Sequence, residues 1–165
     1  MAARRLVIMR HGKAEQSESK RDVDRALIDR GRADARLGGD WLVEQGLAPD
    51  VVLCSPSVRT KSTWHEVAIG MAEAGGTASP AVTYVRDLYD SGLAAALDCV
   101  RAVPAEATVV LLIGHNPTVS ALSHRLDERA ATALSTSGIA VHEVTDEWST
   151  VAAAPLNATH TPRAT

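Results

Sequence analysis

Four short apolar runs, residues 6–9, 51–54, 82–85 and 109–113, constrain this chain more than any other feature, because they alternate with longer segments of helical apolar spacing. Between residues 29 and 45, Ala33, Leu37, Trp41 and Leu42 share one helical face, and Gly46 is placed to end that helix. Ser91 is positioned to cap a helix whose face is Leu93, Ala96, Leu97, Val100 and Val103, stopped by Pro104. Runs rich in β-branched residues read as buried, parallel strands. Residues 139–144 alternate apolar and polar side chains after a Ser-Thr-Ser-Gly turn, which predicts a strand nearer an edge, and a last strand is expected at 149–153. Residues 75–80 read as a loop. Strands alternating with helices define an α/β protein with a mostly parallel central sheet.

At 165 residues the chain is the size of one domain, assigned here to 1–156, with 157–165 as a flexible C-terminal tail. Surface scaling gives a folded surface of about 7,900 Å², enough burial to need neither disulfides nor structural metal. A net charge of −3 argues against nucleic acid or an anionic membrane as the partner, so any anion site must be local. With no Phe, the core must be built from Ala, Val and Leu. Cys54 and Cys99 sit in apolar surroundings and read as free thiols of a reducing compartment. Neither a signal peptide nor a membrane span is legible, and the expectation is a soluble, cytoplasmic monomer.

Three of the apolar runs end in polar exits: Arg10-His11-Gly12, Ser55-Pro56-Ser57-Val58-Arg59 and Gly114-His115-Asn116-Pro117. In an open parallel sheet the carboxyl ends of the strands lie along one edge, where ligands bind, so these exits should converge. Ser55-Pro56 and Asn116-Pro117 each read as an N-cap followed by Pro at the first helical position. Two helix N-termini facing one crevice, with Arg10 and Arg59 added, favour a phosphoryl group. The phosphate-binding set is Arg10, Gly12, Arg59, His115 and Asn116.

Beside a bound phosphoryl group a neutral imidazole is a good nucleophile, and His11 is placed for that role. Neighbouring arginines oppose its protonation. His115 supplies a second imidazole on a phosphoryl oxygen, and Asp87, after the third run, is the candidate acid for the leaving group. His65, His124, His142 and His160 show no metal-ligand spacing, so no metal is predicted.

Met-Arg-His-Gly at 9–12, Asp24-Arg25-Ala26-Leu27 with Gly31, Ser55-Pro56 with Arg59, Asp87-Leu88-Tyr89 and Gly114-His115-Asn116-Pro117, taken in order, resemble the histidine phosphatase (phosphoglycerate mutase-like) superfamily and its small SixA-type phosphohistidine phosphatases. The resemblance implies a three-layer αβα sandwich, a phosphohistidine intermediate at His11, a phosphate pocket at Arg10, Arg59 and His115, and no cofactor. Asp stands at position 87 where family members more often carry Glu. From Arg59 to Asp87 is 28 residues (87 − 59), and from Asp87 to His115 another 28 (115 − 87), which leaves no room for a large cap. An open crevice favours phosphohistidine on a signalling protein as the substrate. The alternatives are a broad small-molecule phosphomonoesterase acting on phosphorylated metabolites and a phosphate-binding module without turnover.

Overall fold

The computed structural model describes residues 3–162, and the last three positions of the expected tail lie outside them. In chain order the elements are β1 (Arg4–Arg10), a 3-10 turn (Asp22–Asp24), α1 (Asp29–Glu44), β2 (Val51–Cys54), α2 (Val58–Glu73), β3 (Ala81–Tyr84), α3 (Asp87–Asp90), α4 (Leu93–Arg101), β4 (Val109–Gly114), α5 (Thr118–Leu126), β5 (Ile139–Val144), a second 3-10 turn (Trp148–Thr150) and β6 (Leu156–His160). The solvent-accessible surface is 7959 Å², close to the scaling value.

All six strands form one sheet in the order β3-β2-β4-β1-β5-β6. The four strands β3, β2, β4 and β1 run parallel, while β5 and β6 are antiparallel to their neighbours. The apolar runs of β1 and β4 are buried on both faces, as their continuous hydrophobicity predicts. Val7, Met9, Leu111 and Ile113 face a core shared with Leu42, Val67 and Met71 of α1 and α2. Leu6, Ile8, Val110 and Leu112 face the opposite core, with Leu97, Val100, Leu122 and Trp148. Helices on both faces of a mostly parallel sheet make the α/β sandwich anticipated from the sequence. Because α1 and α2 pack backbone against backbone, a Cβ on Gly70 would lie 2.0 Å from Arg36 O, and one on Gly39 would lie 2.1 Å from Val67 O.

Several local expectations are corrected. Residues 149–153 form no strand; the last strand is β6, so the chain remains ordered through His160 where a tail from 157 was expected. The signal lies in pairing rather than local pattern: β6 runs antiparallel along β5 and takes its outer hydrogen bonds. For the same reason β5 is an interior strand, buried at nearly every position, whereas the outer parallel strand β3 is largely exposed. Ser57, not Ser55, caps α2, its Oγ accepting from Thr60 N. Pro117, not Asn116, precedes α5, and Gly92, not Ser91, precedes α4. No helix among the described residues is long and apolar enough to cross a membrane.

Candidate active site

Parallel pairing fixes the three polar exits in one place. Arg10 lies beside Gly114 in the β1–β4 register, and Cys54 beside Ile113 in the β2–β4 register, so His11, Ser55 and His115 leave the sheet at the same edge. Since β5 is antiparallel to β1, its start, and the turn ending in Ser137 and Gly138, also lies at that edge.

His11 is held from three sides. Its N–H donates to Gly114 O (3.1 Å), its carbonyl accepts from Ser137 N (3.0 Å), and its side chain is 8% exposed. Nδ1 lies 2.8 Å from Gly12 O. A carbonyl only accepts, so Nδ1 carries the proton of the neutral ring and Nε2 carries the lone pair. Burial, reinforced by Arg59, Arg10 and Arg25, pushes the His11 pKa down to about 4 against the pull of the Gly12 carbonyl. At neutral pH the ring is therefore uncharged, with a nucleophilic nitrogen available.

His115 stands 5.2 Å away, ring centre to ring centre, with Tyr89 edge-on to its other side at 5.5 Å. Burial first, then the charge of His11 and Arg59, bring His115 down to about 3. Its Nε2 lies 2.8 Å from Ser55 Oγ, which frees Nδ1 to face the pocket when the hydroxyl donates. Ser55 thus serves the site rather than a helix cap.

Three residues grouped at this edge carry a buried polar atom without a hydrogen-bond partner, Arg10 Nε, Arg59 Nε and His115 Nδ1, and Ser137 Oγ, beside Gly12, is a fourth; Arg5 Nε and His160 Nε2 are unpartnered elsewhere. Buried donors are normally paired, and leaving one unpaired costs about 1–3 kcal/mol, so such atoms on Arg10, Arg59 and His115 beside His11 fit an acceptor-rich ligand. Arg59 is 5% exposed, and no structural ion pair elsewhere in the core claims its Nε. Ser137 also holds a left-handed backbone at φ 58°, a strained conformation for a residue with a Cβ.

Arg10, His11, Arg59 and His115 are brought together as the sequence predicted; Gly12, Asn116 and Asp87 are placed differently. The Gly12 N–H is spent on Thr63 Oγ1 (2.9 Å), and a Cβ there would lie 2.7 Å from Gly31 O, so this glycine allows α1 to pack against the loop after β1. Asn116 uses both ends of its amide internally: Nδ2 donates to Leu134 O (2.9 Å), and Oδ1 accepts from Ser120 Oγ (2.5 Å). Leu134 O also accepts from Arg10 Nη1 (3.1 Å), so Asn116 and Arg10 share an anchor. Asp87 is exposed, accepts from Ser91 Oγ at 3.3 Å, and makes no hydrogen bond to Arg10, His11, Arg59 or His115. The carboxylate that does meet the pocket belongs to Asp22, which binds Arg59 and Tyr89. Sequence reasoning singled out neither Asp22, which lies in the charged stretch 20–25, nor Ser137, which read only as part of a turn.

Geometry of this kind defines a phosphoryl-handling α/β protein. Comparison with known proteins agrees: residues 6–83 match the model of the histidine phosphatase superfamily (branch 1). The chain is 35% identical over 167 residues to an uncharacterised protein of Mycobacterium tuberculosis, covering 94% of this chain and 100% of that one. It is similar in structure to the SixA protein of Nakamurella multipartitia, with a TM-score of 0.85, 32% identity and 99% of each chain covered. A protein histidine phosphatase SixA complexed with tungstate matches with a TM-score of 0.80 and 26% identity, over 96% of this chain and 97% of that one. The chain belongs to the histidine phosphatase superfamily, and it is a hydrolase of the phosphatase class.

Proposed function

We propose that this protein removes the phosphoryl group from phosphohistidine on a signalling protein, through a covalent phosphohistidine on His11 and without a metal ion. The carrying observation is the unpartnered buried nitrogens of three residues near His11, Arg10 Nε, Arg59 Nε and His115 Nδ1, together with an imidazole whose Nε2 lone pair is free. Donors aimed at a tetrahedral oxyanion stabilise the charge that builds on phosphoryl oxygens during transfer.

In the first step His11 Nε2 attacks phosphorus, and the bond between phosphorus and the leaving nitrogen breaks as that nitrogen takes a proton from solvent. In the second, water attacks phosphorus, the Nε2–P bond breaks, orthophosphate leaves and the water's proton passes to solvent. A phosphoramidate requires less acid assistance than an oxygen ester. That fits an Asp87 directed at Ser91, and a leaving-group proton supplied by Asp87 is needed only for esters.

The protein substrate is supported by openness. The two 28-residue spans flanking Asp87 are taken up by α2, β3, α3, α4, β4 and short connections, with no inserted cap element. A cleft of about 550 Å³ adjoins the pocket, lined by Arg21, Asp22, Pro56, Tyr84 and Tyr89 among others. The SixA neighbours are named for protein phosphohistidine, and one of them holds tungstate, a tetrahedral oxyanion.

The test compares kcat/KM on a phosphohistidine-bearing phosphotransfer domain with a panel of small phosphate esters, in EDTA. Strong preference for the phosphoprotein supports the proposal. Equal or better turnover of one ester transfers the assignment to metabolite hydrolysis, and no turnover of anything leaves a phosphate-binding module.

A further inference from the structure

Asp22 lies in the charged stretch between β1 and α1, yet it joins three separate segments. Arg59 Nη1 donates to its main-chain carbonyl (2.7 Å), and Arg59 Nη2 donates to Oδ2 (3.0 Å). The Tyr89 hydroxyl donates to the same Oδ2 (2.8 Å), while Arg25 reaches Oδ1 through Nε (3.1 Å) and Nη2 (3.0 Å). The carboxylate is thus committed chiefly to Arg59, Tyr89 and Arg25. Its side chain is 55% exposed, and exposed ion pairs add little to stability. The arrangement therefore acts on geometry.

A guanidinium is a rigid planar fork with donors on each edge. Asp22 takes the two Nη atoms of Arg59, while Nε, buried on another edge, is left without a partner. If Asp22 were an anion competing with phosphate, it would be expected on that free edge. It grips the other one.

We infer that Asp22 is a positioning residue for phosphoryl transfer: its carbonyl and carboxylate set the Arg59 guanidinium so that Nε–H meets a phosphoryl oxygen, with Tyr89 and Arg25 bracing the carboxylate. This inference rests on the phosphoryl-pocket reading above. It is counterintuitive in sign, because deleting a negative charge beside an anion site should by itself strengthen anion binding.

The experiment measures orthophosphate affinity by calorimetry, together with kcat and KM on a small phosphate ester, for wild type, Asp22→Ala, Asp22→Asn, Tyr89→Phe, Arg59→Ala and the double variant Asp22→Ala/Arg59→Ala. Asp22→Ala should lose about tenfold in orthophosphate affinity and in kcat/KM. Asp22→Asn, which keeps one acceptor for Arg59, should recover part of that loss, and Tyr89→Phe should lose less. In the Arg59→Ala background, removing Asp22 should cost nothing further, since its effect passes through Arg59. Equal or tighter orthophosphate binding by Asp22→Ala, or the same loss with Arg59 absent, overturns the inference. A wild type that binds orthophosphate but turns over no substrate defeats the proposed function alone and leaves the orthophosphate comparison able to decide this one.

Discussion

Two buried histidines of the same sheet make opposite use of burial. His142, on β5, is fully enclosed and paired at both nitrogens: Nδ1 donates to Ala154 O (2.8 Å), and Nε2 accepts from Ser123 Oγ (2.7 Å). His11, at the end of β1, is paired only through Nδ1, and unpartnered donors surround it. On β5 both ring nitrogens of His142 are satisfied, and the residue ties the chain before β6 to α5. Where the parallel strands end, satisfaction is withheld, and that is where ligand chemistry is possible. An unpaired buried donor costs stability in the free protein and is recovered when a ligand supplies the acceptor.

The largest expected effect separates the two residues. His11→Ala should lower turnover by about 10³-fold or more and change folding stability by only about 1 kcal/mol. His142→Ala should do the reverse, costing about 2–4 kcal/mol because Ser123 and the Ala154 carbonyl are left buried and unpaired, with kcat unchanged. Chemical denaturation and steady-state kinetics on both variants decide it; a stability loss in both with activity retained in both breaks the contrast.

Next in size, Arg59→Ala should reduce kcat/KM by about 10²–10³-fold, the scale of losing a charged donor to the transition state. Retention of activity would remove Arg59 from the pocket.

The pH dependence sharpens the comparison further. With His11 held at about 4 when folded and near 6.5 when unfolded, the unfolded chain binds the extra proton between those values. Stability from this residue is thus fully present above about pH 6.5 and is lost as pH falls through 4, on the order of 3 kcal/mol across that window. Activity should hold from pH 8 to 5 and fall only toward pH 4, while His11→Gln should flatten the stability curve over the same range. An activity midpoint near 6.5 would contradict a desolvated nucleophile.

The smallest effect is expected from Asp87→Asn, within about threefold on phosphohistidine because its carboxylate contacts only Ser91. A much larger loss on oxygen esters would make Asp87 their proton donor.

The first five strands were legible because apolar runs are local properties, and β2 and β5 fall within the residues read for them, whereas β6 was not. Convergence of Arg10, His11, Arg59 and His115 followed from topology alone, since parallel strands share one edge. The helix caps were not legible to within two residues, because Ser55 and Ser57 both suit a cap and only the approach of His115 draws Ser55 away. Asn116 and Gly12 looked like phosphate ligands because their type and place in the motif were right. Nothing in the sequence indicates that Leu134 O, Ser120 and Thr63 claim their polar groups first.

By itself, then, the sequence determined the layered α/β architecture, the edge where the polar exits meet and the imidazole between two arginines. Tertiary structure alone decided that Asp22 grips Arg59 across 37 positions and Tyr89 across 67, and that β6 adds the strand outside β5. Backbone periodicity is written in neighbouring residues, whereas the partner of a polar side chain depends on which distant groups folding brings within about 3 Å of it.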